Sequence, residues 1–177
     1  MRIRNLFTAF ALITLLISCG TGMKIPSEKI LNIDSEFRGT FSNISHKVTT
    51  KHGIEKNSDI LTLLNIVNNK SDSVSVRFSS KNELAVTYNG ILGKSTEYFK
   101  GKFLKKGYFE IYLKKKNIQI PPLFPIIYSK TDINRLRINL TKENTLIIDK
   151  YFSRGGNIFL LAGGGSGRFQ YYFNRFE

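Results

Sequence analysis

The chain has 177 residues, with 27 Lys and Arg against 13 Asp and Glu, for a formal net charge of +14. That length fits one domain with its own hydrophobic core, and a single cysteine excludes an intramolecular disulfide. No second block of distinct composition marks another domain.

In chain order, Arg2 and Arg4 precede an apolar run from Leu6 to Ile17, broken only by Thr8 and Thr14. A basic start followed by ~7–15 apolar residues is the pattern of an export leader. A spanning helix needs about 20, because the hydrocarbon layer is about 30 Å thick and a helix rises 1.5 Å per residue. The run ends in Leu16-Ile17-Ser18-Cys19-Gly20. These five residues resemble the lipobox of bacterial lipoproteins, with an aliphatic residue, a small residue before the cut and an obligatory cysteine. The resemblance implies that the Cys19 thiol receives a diacylglyceryl group and that signal peptidase II cuts between Ser18 and Cys19. It also implies acylation of the freed amino group, for example by palmitate. The other reading is a plain secretory leader with an incidental cysteine. Against it, Cys19 has no intramolecular disulfide partner, and a conventional Ala-x-Ala cut site is hard to find after the apolar run. Two or three acyl chains hold far better than one, at about 0.8 kcal/mol per buried CH₂. Cleavage at this point removes two arginines and no acid, so the net charge falls by two to +12.

Residues 1–18 therefore read as a signal peptide and 19–34 as a flexible tether, in which Gly20, Gly22 and Pro26 stand among polar neighbours. Residues 35–177 read as a β-barrel domain. Apolar and polar residues alternate in Phe37 to Phe41, Val74 to Phe78, Leu84 to Tyr88, Phe109 to Leu113, Leu136 to Leu140 and Phe169 to Phe173. A period of two marks strands with one buried face. Turn chemistry recurs at Ser80-Lys81-Asn82, Asn89-Gly90, Lys105-Lys106-Gly107, Lys142-Glu143-Asn144 and Gly155-Gly156-Asn157. Turns so frequent leave no room for crossover helices, so neighbouring strands pair antiparallel. Ser58-Asp59 is placed to cap a short helix carrying Ile60, Leu63, Leu64 and Val67; a buried strand over the same residues is the alternative. Pro121, Pro122 and Pro125 cannot sit in a central strand and predict a long connection across one end of the fold. The expected fold is all-β, an antiparallel up-and-down meander of eight to ten strands with one short helix.

Gly39-Thr40-Phe41 on the first strand and Arg175 on the last resemble the Gly-x-Trp and the terminal Arg of lipocalin-like barrels, with Phe in place of Trp. The resemblance implies a barrel that sets the Arg beside the first-strand aromatic. The chain is also similar to small lipoproteins of Bacteroidota, through its Gly-Thr-Phe start, the hairpin Lys100-Gly101-Lys102-Phe103-Leu104-Lys105-Lys106-Gly107-Tyr108-Phe109 and the terminal Tyr171-Tyr172-Phe173-Asn174-Arg175. That likeness implies no activity.

No catalytic constellation stands out, and neither an enzyme nor a cofactor is expected. Ala162-Gly163-Gly164-Gly165-Ser166-Gly167-Arg168 invites a phosphate-loop reading, but no Lys-Ser/Thr follows and strand-like residues come next. A hairpin loop at the rim of the barrel is the expectation. His46 and His52 lack a convergent third ligand, so no metal site is expected. The segment from Lys94 to Lys116 interleaves lysines with Tyr98, Phe99, Phe103, Tyr108 and Phe109. Such a pattern can bind single-stranded nucleic acid. Export redirects the expectation to an anionic envelope surface, bound through Lys105, Lys106, Lys114, Lys115 and Lys116. The alternative is that lysines keep a sheet soluble and its edges unpaired. Two functional readings stay open: a barrel holding an apolar or amphipathic ligand, and an interaction module using the basic hairpin on an anionic surface or protein partner. Gly20 is not the Asp that retains many lipoproteins at an inner membrane. Lipid-anchored placement on the periplasmic side of an outer membrane is the expectation.

Overall fold

The computed structural model describes residues 29–31, 33–50, 56–67, 69–105, 107–120, 127–159 and 161–176. Ser18, Cys19, His52, Lys106 and the prolines of 121–126 lie outside the described residues. The elements are β1 (Ile30–Leu31), β2 (Arg38–Ser42), β3 (Lys47–Thr50), α1 (Ile60–Leu63), β4 (Asn69–Ser80), β5 (Glu83–Gly90), β6 (Gly93–Leu104), β7 (Tyr108–Ile120), β8 (Tyr128–Thr141), β9 (Leu146–Ile158) and β10 (Leu161–Phe173). The fold is all-β with one short helix, as the alternation predicts.

Strands β4 to β10 form an antiparallel meander in sequence order, with β2 beside β4 and β3 beside β10. The sheet curls until its ends meet. Besides pairing with β4, β2 is bonded to the residues that follow β10: Ser42 N–H donates to Asn174 O at 2.9 Å, and Phe176 N–H donates to Thr40 O at 2.8 Å. Phe41 and Arg175 are direct bridge partners. This is the juxtaposition implied by the likeness to lipocalin-like barrels, made here through the backbone. The Arg175 guanidinium reaches Asn144 Oδ1 at 3.3 Å.

The alternating apolar residues fill the interior. Phe41, Leu84, Phe109, Leu136 and Phe173 are fully buried. Phe78, Phe103 and Phe109 pack as a triad with ring centroids 4.8–5.0 Å apart. Helix α1 enters this space. Asp59 caps it, accepting from Thr62 N–H at 2.7 Å, and Ile60, Leu61, Leu63 and Leu64 join the core. Leu61, not Val67, completes the buried face: Val67 lies past the end of the helix and is exposed.

Three expectations change. The domain begins before Ser35: β1 pairs with β8 through Ile30↔Thr141 and Leu31↔Leu140, and Ile33 is buried in the core. These residues belong to the fold and not to a tether, because β8 outruns β7 at this end and leaves an edge for β1 to cover. The glycine-rich segment Ala162–Arg168 is part of strand β10 and not a loop, and Gly155-Gly156-Asn157 lies inside β9. The two runs pair with each other, Gly155↔Gly164 and Gly156↔Gly163. Close backbone approach, and not a turn, accounts for Gly155, Gly156 and Gly164, where an added Cβ would run into the backbone of a neighbouring strand. Finally, β7 and β8 are paired up to Ile120↔Tyr128, and Ile127 N–H donates to Ile120 O at 3.3 Å. The two strands are hairpin neighbours, so their connection joins adjacent strands.

All of the described core, from Ile33 to Phe173, lies downstream of residue 28.

Candidate anionic-surface site

Four strands outrun the barrel. β6 pairs with β7 only from Gly101↔Ile111 to Leu104↔Tyr108, and β3 pairs with β10 only from Phe169↔Thr50 to Tyr172↔Lys47. Beyond those limits, Lys114–Ile120, Tyr128–Asn134, Phe152–Ile158 and Leu161–Gly167 form a four-stranded arm whose outer strands have no further strand partner among the described residues. None of its described residues is buried.

Its inner face, the one continuous with the barrel core, is set by a bulge. The β7–β8 register shifts between Tyr112 and Lys114. Leu113 packs against the core, and the extra residue inverts the alternation that follows. Lys114 and Lys116 therefore stand opposite Asn134 and Asp132 on the inner face, while Lys115 turns outward and lies 5.0 Å from the Tyr112 ring centroid. Across the inner face, Asp132 is opposite Arg154, and Lys130 stands two residues before it. Lys114 Nζ lies 2.5 Å from Asp132 Oδ2, and Arg154 Nε lies 3.6 Å from Asp132 Oδ1. The hydrogen bond from Lys114 holds the Asp132 carboxyl below its usual value. The charges of Lys114, Arg154 and Lys130 act in the same direction, and burial opposes them. Asp132 is the one acid among the described arm residues, against Lys114, Lys115, Lys116, Lys130 and Arg154.

The structure thus separates the lysines named from sequence. Lys105 lies in the β6–β7 turn at the barrel end of β7. Lys114 lies six residues along β7 from Tyr108, about 20 Å from that turn at the ordinary strand rise. Lys114 and Lys116 join the arm's inner face, and Lys115 faces the other way. Sequence reading missed Lys130 and Arg154. Their signal was weak, because Lys130 follows a proline-rich stretch and Arg154 precedes a glycine pair that reads as a turn.

The outer face of the same strands carries a different arrangement nearer the barrel. Glu110, Arg137, Asp149 and Gln170 are successive cross-strand partners on four strands. Arg137 Nε donates to Glu110 Oε2 at 2.8 Å, and Arg168 NH2 donates to Asp149 Oδ2 at 2.6 Å. Arg137 lies over Tyr108 at 4.8 Å and Arg135 over Tyr151 at 5.0 Å. Alternation would expose these polar residues, yet Asp149 is 0% exposed and Arg137 7%. The ion pairs and ring stacking hide the charges and pin four strands in one register. Among the described residues no three His, Cys, Asp or Glu side chains are grouped to hold a metal ion. His46 is exposed beside the Tyr172 ring.

No protein-family model matches the chain, and neither a curated protein nor a solved structure matches it.

Proposed function

We propose that this chain is a lipid-anchored protein of a bacterial cell envelope whose domain is a non-enzymatic interaction module. In this reading the leader is removed at Ser18-Cys19, the lipid on Cys19 holds the domain to a membrane, and the arm binds an anionic envelope surface. Placement on the periplasmic side of an outer membrane accords with Gly20 following the cysteine.

The observation that carries the reading is the inner face of the arm. Four cations, Lys114, Lys116, Lys130 and Arg154, surround one carboxylate on a sheet whose outer strands have no further partner among the described residues. Each Lys or Arg near an anionic bilayer contributes attraction of about 1 kcal/mol. Exposed cations on flexible stems reach such a surface without desolvating a buried charge. This use accords with the geometry better than a ligand held inside the barrel, because Phe41, Phe109 and Phe173 fill the interior together with the apolar face of α1.

Two experiments test the reading separately. The anchor is tested by fatty-acid labelling in cells: Cys19→Ala is expected to lose the label and stay at precursor size, and normal processing of that variant would contradict it. The arm is tested by co-sedimenting the chain from Gly20 onward, which holds the whole described core, with vesicles containing phosphatidylglycerol. The variant Lys114→Gln/Lys116→Gln/Lys130→Gln/Arg154→Gln is expected to bind at least about tenfold more weakly, a fraction of the nominal charge contribution. Equal binding by the two proteins would remove the reading.

A further inference from the structure

The turns at the free end of the fold break an ordinary rule of hairpin chemistry. Two-residue hairpin turns favour Asn and Gly, because their backbone takes positive φ and their side chains face water. The β5–β6 turn is closed by the pair Gly90↔Gly93, and its tip is Ile91-Leu92. Leu92 is 102% exposed and Ile91 75%. In the β9–β10 turn Phe159 sits at φ 53°, a left-handed conformation that a bulky side chain seldom takes. Its ring is 65% exposed, and Leu161 beside it is 84% exposed. No described contact within the fold accounts for apolar residues at either tip.

Their placement is not scattered. In an antiparallel meander the turns alternate between two ends. The β5–β6 and β9–β10 turns fall at one end. The β6–β7 and β8–β9 turns fall at the other, together with the N-terminal segment that pairs with β8. Cations stand just behind both tips: Lys94 follows Gly93, and Lys130 and Arg154 lie on the arm below Phe159. Apolar side chains foremost with cations two to five residues behind match the layering of an anionic bilayer, whose acyl region lies beneath its phosphates.

From this layering we infer that the Ile91-Leu92 and Phe159 tips insert into the interfacial region of an anionic lipid bilayer while the arm's cations rest on the headgroups. The inference builds on the reading of the arm as an anionic-surface module and names its partner. A partly apolar protein surface would also accept the tips, and the test separates the two.

The chain contains no tryptophan, so a single introduced indole is an unambiguous reporter. L92W and F159W would be made in the chain from Gly20 onward, with F176W as the control, since Phe176 is exposed near the opposite end. Each would be mixed with phosphatidylcholine vesicles, with and without phosphatidylglycerol, in which some acyl chains are brominated near the headgroup. With phosphatidylglycerol present, L92W and F159W are expected to shift their emission to the blue and to be quenched, and F176W to do neither. I91S/L92S is expected to co-sediment about tenfold more weakly, the effect of leaving a buried aliphatic side chain out of the acyl region. Co-sedimentation without blue shift or quenching would overturn insertion and leave the arm's electrostatic role standing. Equal quenching on neutral vesicles would support insertion and remove the arm's role. Absence of co-sedimentation on either vesicle would overturn both and direct the tips to a protein surface.

Discussion

Gly156 and Gly163 face each other across β9 and β10 but answer to different constraints. A Cβ on Gly156 would collide with the backbone oxygen of Ser129, which has no room to retreat. A Cβ on Gly163 would meet nothing within 4 Å. Gly156→Ala is therefore expected to destabilise the protein by about 1–3 kcal/mol, the range of overpacking. Gly163→Ala is expected to be neutral or stabilising by up to about 1 kcal/mol, through the entropy of the unfolded chain. Urea denaturation of the two variants checks the pair, and equal effects would contradict the close approach of β9 to β8. Asp132 sets a second expectation at this scale. Its carboxyl is held below 3.8 in the folded protein, chiefly by Lys114. A lowered carboxylate favours folding above its unfolded value, and that contribution fades as pH falls through the folded one. Binding to phosphatidylglycerol vesicles is thus expected to show no step from Asp132 between pH 5 and 8, and to strengthen only in more acidic solution once its charge is lost. A step near neutral pH that Asp132→Asn abolishes would contradict the assignment.

At the scale of elements, strict alternation read the barrel strands well, because Leu136, Ile138 and Leu140 or Phe169, Tyr171 and Phe173 each line one face. It failed where a single residue breaks the period. The bulge at Leu113 cannot be seen in Tyr-Leu-Lys-Lys-Lys, and without it Lys114 and Lys116 would be placed on the outer face with Tyr112. The glycine runs of β9 and β10 failed for the opposite reason: turn chemistry read alone cannot tell a flexible loop from two backbones in contact. The cap of α1 was legible because Asp59 accepting from Thr62 N–H is a local bond. The helix has only four residues, too few to be stable alone, so packing must hold it. Asp59→Ala is expected to cost about 1 kcal/mol and Leu61→Ala about 2–5 kcal/mol, both measured by chemical denaturation. A larger effect for the cap than for the core leucine would place the stability of α1 in the wrong interaction.

For the whole molecule, the sequence made an all-β meander legible but not its division into barrel and arm, because strand length and neighbour are set by partners far away in the chain. The candidate site was legible only in part: Lys114 and Lys116 were named, whereas Lys130, Arg154 and the apolar tips take their meaning from pairing that brings the ends of β5 to β10 to one side. The described chain enters beside β8 at the opposite end. β8 and β9 run 14 and 13 residues, about 45 Å at the ordinary strand rise, so an anchor at Cys19 and the tips would hold the domain from its two ends. The central claim is that charge on the inner face of the arm governs attachment to an anionic bilayer. Its most direct test is one affinity series on phosphatidylglycerol vesicles at fixed ionic strength. Asp132→Asn is expected to bind several-fold more tightly than the unaltered chain and Lys130→Gln/Arg154→Gln several-fold more weakly, with the differences shrinking as salt is added. Equal affinities across the series, or weaker binding by Asp132→Asn in a fully folded protein, would contradict the account.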